Sequence, residues 1–174
     1  MAYSFNSKLR LFALEKLRIF SQELQLKENE EFELDKNLFQ ILLSIFKDNE
    51  NIYVKFEILD ILINFSSISS LVCNLFLDID YISIIYDLLN SSDFMFIEKG
   101  LILIGNIMIS LKEGYEYILT HFPLEIKLKE LLLSGKFDED GLVLSNILWI
   151  LKAIIKETNK ESLEAVSKLY QLFI

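Results

Sequence analysis

Three side-chain amides interrupt runs that are otherwise almost wholly apolar: Asn64 in FEILDILINFS (56–66), Asn106 in EKGLILIGNIMIS (98–110) and Asn146 in LVLSNILWILKAIIKET (142–158). A helix greasy on nearly every side is buried between neighbours, so a hydrophilic group on it needs a specific partner. Asn106 is therefore read as facing a groove. Asp60 is equally out of place in ILDILI, because a buried carboxylate is costly unless it meets solvent or a cation. These groups can bind; nothing beside them can turn over a substrate. No glycine-rich phosphate loop and no Ser, His and acid set can be assembled. His121, the one histidine, precedes Pro123 at an expected helix end and reads as a capping or solvent-facing residue. The single cysteine, Cys73 in LVCNLF, reads as a small buried hydrophobe, and no second Cys or His completes a metal site. The acids Asp138 to Asp140 fall in a polar loop and read as solvated. No catalytic residue, metal or cofactor is expected.

The elements that must hold these residues are helices. From Ser7, an expected N-cap, apolar residues recur at Leu9, Phe12, Ala13, Leu17, Phe20 and Leu24, a helical stripe. An acidic linker, KENEEFELD, separates it from a second helix, Asn37 to Phe46, which KDNEN stops. A third begins near Ile52, carries Asn64 and is broken by Ser66, Ser67, Ser69 and Ser70. A short helix (Leu71 to Leu77) and a longer one (Tyr81 to Leu89) follow, and Ser91 to Asp93 cap the helix of Asn106. The cycle then recurs: Gly114 to His121, a helix started by Pro123 and reaching Leu133, the turn SGKFDEDG, and the helix of Trp149, with Leu163 to Phe173 opening a further cycle. Aligning the long helices sets Ile19, Asn64, Asn106 and Ala153 in register, separated by 45, 42 and 47 residues. Periods in the forties built from a short helix and two longer ones are those of armadillo and HEAT-type arrays, whose units bury their apolar faces on each other.

Composition agrees with an all-α chain. One Pro and five Gly in 174 residues leave too few turns for a β-sandwich or a doubly wound α/β fold. The hydrophobic fraction is high, 52%, but Asp60, Asn64, Lys99, Lys152 and Lys156 break the greasiest stretches well short of the roughly 20 apolar residues a bilayer span needs. MAYSFNSKLRLFALEK lacks the charged region and clean apolar core of a secretion signal, and an intracellular home fits best. With 17 basic against 26 acidic residues, the net charge of -9 argues against nucleic acid and makes a basic peptide or protein easier to accept.

With this register, the helix EKGLILIGNI resembles the third helix of the armadillo repeats of importin-α, the nuclear-import adaptor family, whose pattern is Glu-x-Ala-x-Trp-Ala-Leu-x-Asn-Ile; Glu98, Gly105, Asn106 and Ile107 match. FEILDILINF is similar one repeat earlier at Phe56, Glu57, Leu62 and Asn64, and LVLSNILWILKAI one repeat later at Asn146, Trp149 and Leu151. The resemblance implies a right-handed superhelix of about three and a half repeats over residues 1–174, with third helices near 9–22, 53–66, 96–110 and 142–157. It also implies a concave groove for an extended basic peptide. Asn amides would pin the peptide main chain, and tryptophans would form slots for Lys and Arg stems. The family's tryptophan positions here read Asp60, Ile102 and Trp149, and its asparagine positions Asn64, Asn106 and Ala153. The groove residues expected on this basis are Glu57, Asp60, Asn64, Asn106, Asn146 and Trp149.

Two functions follow as expectations. One is recognition of a protein or extended basic peptide, by an import adaptor or a reduced descendant of one, in the cytoplasm or nucleus. The other is a structural subunit that uses apolar faces to sit permanently in a complex or to self-associate. Neither involves direct contact with nucleic acid or membrane.

Overall fold

A computed structural model describes residues 5–25, 34–48, 51–68, 70–77, 81–110, 112–134 and 141–157. Most of the linker at 27–35, most of the turn at 134–141 including Asp138 to Asp140, and the segment 163–173 lie outside them. Every described element is an α-helix: α1 (Phe5–Gln25), α2 (Lys36–Asp48), α3 (Ile52–Ser66), α4 (Ser70–Leu77), α5 (Ile82–Leu89), α6 (Phe94–Ser110), α7 (Lys112–His121), α8 (Leu124–Leu133) and α9 (Leu142–Glu157). No described helix is long and apolar enough to cross a membrane. The chain forms two compact units, residues 1–81 and 82–174.

Short polar residues set the helix ends. Asn51 begins α3 by accepting from the Tyr53 N–H at 3.0 Å, and its end is closed by two hydroxyls that turn back on the last carbonyls, Ser66 to Ile63 and Ser67 to Asn64, each at 2.8 Å. Asp93 does the same for α6, its Oδ1 accepting from the Met95 N–H at 2.9 Å. Pro123 stands just before α8 with φ −76°, where its missing N–H costs nothing. Gly141, at φ 68°, takes the left-handed conformation that admits the chain to α9.

Two sequence expectations are corrected. Ser7 is not the N-cap of α1: the helix already runs from Phe5, since neither Phe5 nor Asn6 is a helix breaker. And α5 is no longer than α4; both span eight residues, as α7 and α8 both span ten, so the cycles ending in α6 and in α9 are each two short helices and one long. Asn90 ends α5 early by donating its side-chain N–H to the Tyr86 carbonyl at 2.8 Å.

The first unit packs around aromatic rings. Phe39 of α2 meets Phe65 of α3 at 5.5 Å and Phe76 of α4 at 5.1 Å, and Phe76 meets Tyr81 edge-on at 5.8 Å. Cys73 is fully buried there, its thiol directed at the Ser66 carbonyl. In the second unit Ile84, Ile85, Leu88 and Leu89 of α5 pack on α6. Gly100 lets the two helices cross closely, for a β-carbon there would lie 3.0 Å from that of Leu88.

The stripe expected for α1 is also corrected. Leu24 is buried and Leu17 half-buried, but Leu9, Phe12, Ala13 and Phe20 are exposed. The side turned to α3 carries Leu14, Ser21 and Leu24. The helix is apolar on two sides, and periodicity finds the wider one, whereas burial follows the neighbour present.

Candidate functional site

In the first unit, α1 and α3 lie side by side and parallel, joined by polar side chains at helical spacing. Arg18 Nε donates to Glu57 Oε2 at 2.8 Å, Asn64 Nδ2 to Ser21 Oγ at 2.9 Å, and Gln25 Nε2 to the Asn64 carbonyl at 3.0 Å and to Ser67 Oγ. Ser21 is fully buried and its hydroxyl donates to the Arg18 carbonyl at 2.7 Å. Glu57, Asp60 and Asn64 thus share one face of α3, with two of the three committed to α1. The Glu57 charge is balanced by Arg18, each side chain 25% exposed. One N–H of Asn64 is spent on Ser21. Asp60 is half-buried between them.

In the second unit, α6 and α9 form the corresponding pair of long helices. Trp149 is half-exposed and lays its ring directly on Gly105. A β-carbon at position 105 would come within 2.6 Å of Cε3 and 2.7 Å of Cη2, and closer still to Cζ3. Glycine at 105 is what lets the indole lie flat against the α6 backbone. Beside the ring an open-sided cavity of about 160 Å³ is lined by Met108, Ile109, Trp149, Lys152, Ala153 and Lys156. Asn106, next to Gly105, is half-buried on α6. Asn146, a turn before Trp149, donates to the carbonyl of Leu142 in its own helix at 3.0 Å.

The six candidate residues therefore fall into two sets, Glu57, Asp60 and Asn64 in the first unit and Asn106, Asn146 and Trp149 in the second. Sequence reasoning did not pick out Arg18, Ser21, Lys152 or Lys156. The two lysines were legible, at three and seven residues from Trp149 on one helical face. Ser21 was not, since a hydroxyl in RIFSQEL gives no sign that it will be the buried one. His121 is exposed at the last position of α7, its Nδ1 2.9 Å from the Tyr117 carbonyl and its ring stacked on that of Tyr117. Among the described residues no cluster of His, Cys, Asp or Glu could hold a metal ion.

No protein-family model matches the sequence, and no curated protein matches it. Solved structures do. An engineered protein aligns over 95% of this chain with a TM-score of 0.67 and 18% identity. The fold is armadillo-like. Two designed armadillo repeat proteins carry that comparison: one, solved in complex with the peptide (KR)4, covers 90% of this chain at a TM-score of 0.66 and 18% identity. The other covers 91% at 0.64 and 16% identity. The chain spans 62–64% of the length of these structures. An all-α helical repeat is thus the architecture of this armadillo-like chain.

Proposed function

We propose that this protein is a peptide- or protein-binding armadillo array, a single domain of about three and a half repeats across residues 1–174. Its ligand is an extended segment of a partner laid along the long helices, and Glu57, Asp60, Asn64, Asn106, Asn146 and Trp149 are its contact residues. The observation that carries this reading is the half-exposed Trp149 indole beside an open apolar cavity on a long helix. Aromatic surface of that kind, on a rigid element, is the usual anchor of a recognition site. A designed armadillo protein of similar fold binds the basic peptide (KR)4. The net charge of -9 and the Asp60 carboxylate favour a basic segment over the first unit. The import-adaptor role in cytoplasm or nucleus is the finer form of this proposal.

Fluorescence anisotropy of a labelled lysine-rich peptide on the full chain tests it. Binding should weaken with added salt and with Glu57→Ala combined with Asp60→Ala. A folded sample that ignores the peptide at low salt removes the basic-ligand reading.

A structural subunit is the second reading, supported by α1. Leu9, Phe12 and Phe20 are exposed by 56%, 55% and 46% along one outward side, with Lys16 reaching over the Phe12 ring. Light scattering distinguishes it: assembly of the wild type that Phe12→Ser with Phe20→Ser abolishes would favour the subunit, and a monomer throughout would exclude self-association.

A further inference from the structure

The cavity beside Trp149 has a polarity opposite to that of the chain as a whole. Its walls are apolar, Met108, Ile109, Ala153 and the indole, and among the described residues its only ionisable lining groups are Lys152 and Lys156. These lysines stand one turn apart on α9, both exposed, and among the described residues no carboxylate lines the cavity. Among the described residues neither lysine has an ion-pair partner.

We infer that this cavity takes an apolar side chain, leucine or phenylalanine in size, from an extended partner segment that carries aspartate or glutamate next to it. The inference rests on the peptide-binding reading above and names the chemistry of the segment over the second unit. The volume, about 160 Å³, suits one such side chain. Met108 and the indole give it an adaptable floor and a rigid wall. Ile109, 53% exposed, gives a second apolar surface that a bound side chain would cover. The two ammonium groups at the rim then meet the carboxylates flanking the anchor. Because both lysines are exposed, pairing them costs little desolvation, and their main effects are on specificity and association rate. A lysine stem in the same cavity would bring a third ammonium beside the first two, and like charges at that range oppose binding. The cation–π slot expected of Trp149 is therefore closed to basic residues by its own helix. The basic preference belongs to the first unit and an acidic-apolar preference to the second.

The test uses the full chain, two labelled peptides and the single tryptophan as reporter. One peptide alternates glutamate with leucine, and the other alternates lysine with leucine. The glutamate–leucine peptide should bind more tightly and shift the Trp149 emission, whereas the lysine–leucine peptide should leave that emission unchanged. Lys152→Glu with Lys156→Glu should weaken the first peptide by roughly tenfold and invert the preference. Both positions are exposed, and an unaltered thermal melt confirms that the variant is folded. Equal or tighter Trp149-coupled binding of the lysine–leucine peptide overturns the inference, as does indifference to the charge reversal. If the lysine-rich peptide of the previous section binds but the glutamate–leucine peptide does not, this inference alone fails. If neither binds a folded sample, the peptide-binding reading fails with it.

Discussion

Gly105 lies in the middle of α6, where an alanine should ordinarily be the better residue by about 1 kcal/mol. Here the structure predicts the opposite. A methyl at 105 would fall within 2.7 Å of the Trp149 ring, and the ring is a rigid plane rather than a flexible chain end. Either α6 and α9 separate or the indole leaves its seat; forcing a group into filled space of this kind costs about 1–3 kcal/mol. Setting about 2 kcal/mol of strain against about 1 kcal/mol of propensity leaves Gly105→Ala destabilised by about 1 kcal/mol. In a chain of this size that lowers Tm by about 2–4 °C. Urea denaturation followed by far-ultraviolet circular dichroism measures the difference, and Trp149 emission should move to longer wavelength as the ring is displaced. The decisive measurement is the same exchange in a Trp149→Ala background. With the ring gone, only propensity remains, so the sign should reverse and Gly105→Ala should stabilise by about 1 kcal/mol, a coupling of about 2 kcal/mol between the two sites. Stabilisation in both backgrounds, with unchanged emission, would refute the claim that glycine is at 105 to seat the indole.

Asn64→Ala should cost about 1 kcal/mol through its lost bond to Ser21, and Ser21→Ala should remove most of that difference in a double-mutant cycle; a zero coupling would mean that the bond contributes nothing. The Arg18–Glu57 pair, with both side chains 25% exposed, should show a coupling of about 1 kcal/mol or less that declines with salt. Asp35 accepts hydrogen bonds from the Asn37 main chain at 2.8 Å and its side-chain amide at 3.2 Å, and these hold its carboxyl below the usual range. A folded pKa below the unfolded one adds stability above the ordinary carboxylate range and loses it as pH falls through the folded value. Asp35→Ala should therefore lower Tm at neutral pH, with the gap closing in strong acid, and melts across that range would reveal a constant gap if these hydrogen bonds were irrelevant. Cys73, at 0% exposure, should react with thiol reagents only as fast as the first unit opens, so native-state labelling should accelerate sharply in mild urea.

The fold was readable because its signals are local and repeated. Asn51, Ser66 with Ser67, and Asp93 act on backbone groups two or three residues away, so their types alone announce helix ends. The outward stripe of α1 was misplaced because an amphipathic pattern states that a face is apolar and not whether anything covers it. Asn64 shows the corresponding limit for a site residue. An amide in an apolar helix must have a partner, but whether that partner is a ligand or Ser21, 43 positions away, depends on how two helices meet.

Trp149 adds a limit of another kind, in electrostatics. A net charge of -9 describes the field far from the molecule and bears on encounter with a distant partner. A ligand seated on the indole is within a few ångströms of Lys152 and Lys156, well inside a Debye length of about 8–10 Å, so those two charges dominate what it meets. The carboxylates of Glu57 and Asp60 sit in the other compact unit, and Arg18 already balances one of them. If the peptide-binding proposal holds, a peptide with a basic stretch and an acidic-apolar stretch should bind more tightly than either stretch alone. Titrating the joined peptide against its two halves measures that gain. A joined peptide no tighter than its better half would mean that the two units do not engage one segment together.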